Sequence, residues 1–286
     1  MARRTDAHPD NSPGSFFVDR TCIDCGTCYQ LAPDTFADGG DHARVQAQPT
    51  DPTSRLRAAM ALLACPVGSI GTDHKGDLPA AAAAFPLPLT DAVYFCGYTS
   101  EKSFGAWSYL IRRPGGNVLV DSPRAAEPLL KNLEALGGVS TMVLSHQDDV
   151  ADHALFHERF GCERIMHRGD GLPDMERLVE GEDTITLAED LLLIPTPGHT
   201  AGSICLLYRD LLFTGDHLWW NPAKGRLSAS RAYNWHSWDQ QLASLEKLLA
   251  FDFTWILPGH GFLHHAESPE VMRSELKRSI ALLRSS

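Results

Sequence analysis

Residues 144–153 read Leu-Ser-His-Gln-Asp-Asp-Val-Ala-Asp-His, LSHQDDVADH. A short apolar run, Thr141-Met142-Val143-Leu144, stops abruptly there. The ten residues hold two histidines, His146 and His153, and three aspartates, Asp148, Asp149 and Asp152. Two readings compete. One is a metal site, because imidazole nitrogen and carboxylate oxygen are good ligands for zinc, iron or manganese. The other is the acidic start of a solvated helix. Asp148 or Asp149 would then be the N-cap, with Val150, Ala154 and His157 on one face.

Three companions favour metal. Leu191-Leu192-Leu193-Ile194 runs into Pro-Thr-Pro-Gly and His199, and Leu211-Leu212-Phe213 runs into Thr-Gly and Asp216. Trp255-Ile256-Leu257 runs into Pro-Gly and His260. Four short apolar strands thus each deliver a His or an Asp just past their ends. In three of them Gly precedes the ligand residue, which suits a sharp turn. Neighbouring strands present their end loops on one rim, so the four side chains are expected to converge.

With these motifs in place, residues 90–265 resemble the metallo-β-lactamase superfamily. Its signature is H-x-H-x-D-H, a distant His after a glycine-rich turn, an Asp, and a final His. The chain supplies His146, Asp152-His153, His199 in TPGHTAGS, Asp216 in FTGD and His260 in LPGHG, in that order. Segments 108–112 and 118–121 look like the family's opening strand pair. The resemblance implies an αββα sandwich with two metal ions. By that carry-over the first metal takes His146, Asp148 and His199, and the second takes Asp152, His153 and His260. Asp216 bridges, and Asp152 and Asp216 are the acidic groups at the reacting centre. Two helix starts agree with such a fold: Ser237-x-x-Gln240, a capping box ahead of Leu242, Leu245 and Leu249, and Ser268-Pro269.

The stretch departs from the family where a second His is due. Asp148 stands there, and the Asp-His pair arrives two residues late. Three readings follow. Asp148 replaces the histidine while Asp152 and His153 still reach the second ion. Or one metal position is lost. Or the site is dead and the stretch begins a helix. A carboxylate at this position is similar to the flavodiiron branch, which uses a Glu there and holds two irons. A hard oxygen ligand tilts preference from zinc toward iron or manganese.

The first part of the chain differs in kind. Residues 22–28 read Cys-Ile-Asp-Cys-Gly-Thr-Cys, and Cys65 is followed by Pro66. Thiolates at every third position plus a remote C-P match the spacing of a [4Fe-4S] site held by Cys22, Cys25, Cys28 and Cys65. A four-cysteine zinc site usually pairs C-x2-C with another C-x2-C instead. With their flanking residues these motifs resemble a single-cluster bacterial ferredoxin over residues 15–72, which implies electron transfer. The expected organisation is mixed α/β (α+β): a disordered leader 1–14, a small ferredoxin-like α+β domain 15–75, an Ala/Pro linker 76–88, and the sandwich at 89–286.

Composition bounds the rest. The chain has 286 residues, 43% hydrophobic, with a formal net charge of −11. It shows no cluster of Lys and Arg, so nucleic acid is not an expected partner. No apolar run reaches membrane-spanning length, so neither is a membrane. Seven cysteines and no apolar stretch behind the N-terminal arginines suggest a reduced cytoplasmic setting. Cys96, Cys162 and Cys205 read as buried small side chains. His8, His42 and His74 read as solvated, and His264 and His265 as surface residues.

Hydrolysis of a small-molecule substrate at two divalent ions (zinc, iron or manganese) is one functional reading. Redox chemistry at two irons, fed by the cluster and a redox partner protein, is a second. A non-catalytic cluster-bearing sensor is a third. His217 follows Asp216 and could face substrate. Trp219, Trp220, Trp235 and Trp238 read either as packing or as an aromatic wall, with Tyr233, His236, His167 and Lys224 as substrate contacts.

Overall fold

The computed structural model describes residues 2–285. Met1 of the expected leader and Ser286 at the end of the expected sandwich lie outside them. The chain divides into two compact units. The first comprises Met1–Val118, Ser122–Val139 and Ala151–Phe160, and the second Leu119–Asp121, Ser140–Val150 and Gly161–Ser286. The first unit runs past the expected start of the sandwich at residue 89.

In the first unit, strand Phe17–Val18 pairs antiparallel with Ile70–Gly71, and Phe36–Asp38 pairs with Ala43–Val45. Helix Pro52–Ala64 starts at Asp51, whose carboxylate accepts from the Thr53 and Ser54 amides while Ser54 reaches back to the Asp51 amide. This reciprocal cap, with Pro52 in the first turn, fixes the helix start. The helix buries Ala58, Ala59, Met60 and Ala61. Strands Leu87–Pro88, Val93–Phe95 and Tyr109–Ile111 form an antiparallel meander. Helix His153–Phe160 closes the unit's last segment. It begins at His153, later than an N-cap at Asp148 or Asp149 would place it.

Two expectations are corrected here. The leader is ordered, because its backbone and side chains find partners in the module. The Arg3 amide donates to Asp19, and the Arg4 guanidinium to the Gly14 and Ser15 carbonyls. The linker is also folded. Its alanines, the best helix formers, make helix Leu78–Ala83, and Leu87–Pro88 joins the meander. Asn132 donates to the Ala82 and Phe85 carbonyls and pins this stretch.

In the second unit a six-stranded sheet has the order 185–188, 191–195, 204–208, 211–215, 255–258, 264–265. Strands Leu211–Gly215 and Trp255–Pro258 are parallel neighbours. Strand Leu191–Pro195 reaches Leu211–Gly215 through one antiparallel strand, so it runs the same way. Strand Glu163–His167 pairs in parallel with Thr141–Val143 and with Arg177–Val179 in another sheet. Helices Trp238–Leu248 and Pro269–Arg284 cover the six-stranded sheet, and Ser237 and Ser268 cap them as expected. Ile194, Leu212 and Ile256 pack there with Leu245, Leu248, Met272, Leu276 and Ile280. Each such side chain contributes about 1.5–3 kcal/mol on burial. The strands are thereby rigid supports for their end loops. Among the described residues no helix is long and apolar enough to cross a membrane.

Candidate metal centres

The rim forms where three parallel-running strands of one sheet end. Asp216 and His260 leave adjacent strands, and His260 Nδ1 lies 2.7 and 2.8 Å from the two Asp216 oxygens. His199 Nε2 lies 4.0 Å from Asp216 Oδ2, and His146 Nε2 lies 3.8 Å from it. His146 Nε2 is also 3.9 Å from Asp148 Oδ2, and its Nδ1 is 3.9 Å from Asp149 Oδ2. Candidate ligand atoms of His146, Asp148 and His199 lie within 4.8 Å of one another, as do those of His146, Asp149 and Asp216.

Burial sharpens the geometry. His146 and Asp149 are each 1% exposed. Among the described residues His146 Nε2, His199 Nε2 and both Asp149 oxygens have no hydrogen-bond partner. Each buried unsatisfied group costs about 1–3 kcal/mol, more if charged. Several converging on one point are hard to sustain unless a cation takes their lone pairs. Burial pushes the His146 imidazole down to about 4 and also lowers His199, so both offer neutral nitrogen. Burial, and then the charge of Asp216, push the Asp149 carboxyl well above the usual carboxylate range. Burial also acts to raise Asp216, but His260, His146 and His199 hold it below that range. The residues fit divalent metal.

Neighbouring groups aim the ligands. Ser145 Oγ shares a 2.9 Å hydrogen bond with His146 Nδ1, leaving Nε2 for the centre. The Ser145 amide donates to buried Asp121 at 2.7 Å. Buried Asp170 accepts from the Gln147 and Gly202 amides and from the Thr200 hydroxyl, tying the His146 loop to the His199 loop. The Trp235 amide donates to the His199 carbonyl at 2.8 Å. Gly215 has a left-handed φ of +48°, which suits the sharp turn into Asp216. Gly259 is needed for space: a Cβ there would sit 2.5 Å from Asp149 Oδ2 and 3.0 Å from Asp216 Oδ1.

His146, Asp148, His199, Asp216 and His260 are thus brought together. Asp152 and His153 are not in either cluster. Asp152 is held by Lys102 Nζ at 2.7 Å and by the Ala125 amide at 2.9 Å, while His153 opens a helix. The structure instead turns Asp149 inward and leaves Asp148 nearly half exposed. Sequence reasoning also missed Asp121 and Asp170. His217 is buried, neither ring nitrogen has a hydrogen-bond partner, and burial pushes it down to about 3. Tyr233, Trp235, His236 and Lys224 are exposed. His167 accepts from the Gly169 amide. His264 is mostly buried against Trp220 and bonded to Glu275 rather than a surface residue.

The four module cysteines line one small pocket. Burial pushes the Cys22 thiol up, Cys25 to about 11, and Cys28 well above 9. Such thiols become ligands when a cation displaces their protons. The Asp24 and Ala43 amides point at Cys22 Sγ and the Ser69 amide at Cys65 Sγ, bonds of the kind that tune cluster potential.

Residues 103–260 match the family model described as metallo-beta-lactamase superfamily, more than half the chain. The chain belongs to the metallo-beta-lactamase superfamily. Residues 18–72 of this metallo-β-lactamase-fold chain match the 4Fe-4S single cluster domain of ferredoxin I. Its cofactors are accordingly an iron–sulfur cluster and divalent metal. It is 34% identical to a hydroxyacylglutathione hydrolase of Rhodospirillum rubrum over 54% of this chain and 61% of that one. A hydroxyacylglutathione hydrolase of Rhizobium meliloti is 33% identical over 59% and 68%. Against the first of these the chain spans about three fifths of the relative's length. In fold it is similar to the structure of VMB-1, with a TM-score of 0.54 and 17% identity over 69% of this chain and 95% of that one. The mixed α/β sandwich with a small ferredoxin-like domain is thereby as expected.

Proposed function

We propose that this metallo-β-lactamase-fold chain hydrolyses a thioester at the rim formed by His146, Asp149, His199, Asp216 and His260. The observation that carries the reading is the convergence of buried imidazole and carboxylate atoms that lack hydrogen-bond partners. The hydroxyacylglutathione hydrolase names of its relatives support the thioester class. One or two divalent ions, zinc, iron or manganese, would supply Lewis acidity toward an acyl oxygen. The chain's own groups do the rest. Ser145 and Asp170 hold the ligand loops rigid. Asp149 tends to keep its proton, because burial, and then the charge of Asp216, oppose its ionisation. It gives that proton up when a cation arrives. Asp216, faced by three imidazoles, stays ionised and so offers its carboxylate to a cation.

A second reading is di-iron redox chemistry. Two observations favour it. The rim is rich in carboxylate, with Asp148, Asp149 and Asp216. The ferredoxin module also meets the 99–107 loop. A Cβ on Gly105 would sit 2.6 Å from Cys25 Cβ, and Trp107 Nε1 donates to Thr27. Lys102 of the same loop holds Asp152, three residues past Asp149.

The test is thiol release from a hydroxyacylglutathione by anaerobically purified protein. Thiol release that a chelator abolishes and added divalent metal restores is expected. No release with the rim loaded by zinc, iron or manganese in turn would reject the thioester reading.

A further inference from the structure

Among the described residues, outside the rim and the cysteine cage, one other group of side chains is arranged as ligands. It lies on the ferredoxin module and joins the ordered leader to the hairpin Phe36–Asp38/Ala43–Val45. The His8 and His42 rings stack at 3.6 Å with 10° between planes. Both Asp10 oxygens lie 3.1 Å from His42 Nε2. One ligand atom from each of His8, Asp10 and His42 falls within 4.8 Å of the others. Asp41 bonds the other His42 nitrogen at 2.6 Å.

The scaffold beneath is fixed. The Asn11 side chain donates to the His8 and Val18 carbonyls and accepts from the Val18 and Val45 amides. It thereby pins the His8–Asp10 turn to two strands. The His42 carbonyl accepts from the Gly39 amide at 2.8 Å, closing the hairpin. Ligands held by packed backbone lose little entropy on binding.

We propose that His8, Asp10 and His42 form a divalent transition-metal site of the zinc or nickel class. Two imidazoles and a carboxylate are a common donor set for such ions. Asp41 would orient His42 through its far nitrogen, the usual carboxylate–histidine–metal arrangement. The site has a consequence for the cluster. Ala43 follows His42 directly, and its amide donates to Cys22 Sγ at 3.4 Å. Added positive charge on the residue before that amide favours the more negative, reduced cluster, so binding raises its midpoint potential.

The test uses the full chain with its cluster and rim metal in place. Zinc is added in excess, weakly held metal is removed by dialysis, and zinc and iron per chain are counted. Wild type is expected to retain one zinc more than a His8→Ala/His42→Ala variant at equal iron. Asp10→Asn is expected to weaken that zinc by at least about tenfold. Zinc should raise the EPR-monitored cluster potential in wild type and leave it unmoved in Asp10→Asn, a milder change should the double variant fold poorly. Equal zinc retention in all three proteins, or the same shift with and without Asp10, overturns the proposal.

Discussion

At the scale of single residues, LSHQDDVADH resolves into two groups of different work. Asp149 is buried against Asp216 and His146, whereas Asp152 is ion-paired with Lys102. Asp149→Ala is therefore expected to lower rim metal and reduce turnover by a factor on the order of 10² or more. Asp152→Ala is expected to change turnover by less than about tenfold, since its carboxylate is held by Lys102 and the Ala125 amide and not by the ligand clusters. Metal content and rate of the two variants, side by side, check this. The order of the two effects reversed would favour the family's spacing over the geometry. His146 was legible because an apolar run ends on it. Asp149 was not, because Asp148 and Asp149 are adjacent and spacing cannot tell which side chain turns inward.

His42 adds a pH prediction. Hydrogen bonds donated to Asp41, and then to Asp10, raise it above 6.5 against its burial; stacked His8 is lowered by burial and by His42. Asp24 and Arg20 are the other charged groups that bear on the pair. Since His42 is raised on folding, its contribution is present below pH 6.5 and is lost as pH rises through the raised value. Melting temperature in chelator should fall across that window in wild type and fall less in His42→Asn. Identical profiles would remove His42 from the account.

At the scale of elements, the strands that carry His199, Asp216 and His260 were plain in the sequence. Each is a short apolar run closed by a glycine turn. The helix starts at Ser237 and Ser268 were equally plain, because caps and proline leave local signatures. The leader and the Ala/Pro stretch were not. Their order comes from partners remote in sequence, Asp19 for Arg3 and Asn132 for Ala82 and Phe85, which no local pattern shows.

Two glycines test the element-level account. Gly259→Ala places a methyl against the Asp149 carboxylate. It should cost about 1–3 kcal/mol of stability and loosen rim metal while cluster absorbance is kept. Gly105→Ala faces Cys25 with a φ of +88°. It should do the reverse, lowering cluster content more than rim metal. Chemical denaturation and metal analysis of each would show it, and loss of the same cofactor in both variants would contradict the assignment.

At the scale of the whole molecule, two cofactor sites stand on one chain. The cysteine spacing made the first legible outright. The second was legible as a family and a rim but not as a ligand set, because ligand choice depends on which of several acidic side chains is buried. The central claim is that His146, Asp149, His199, Asp216 and His260 hold divalent metal. Its most direct test is metal per chain after anaerobic purification, in wild type and in His199→Ala/Asp149→Ala. The account predicts about four cluster irons in both proteins and loss of the additional rim metal in the variant alone. Rim metal unchanged in the variant, with the cluster intact, would contradict it.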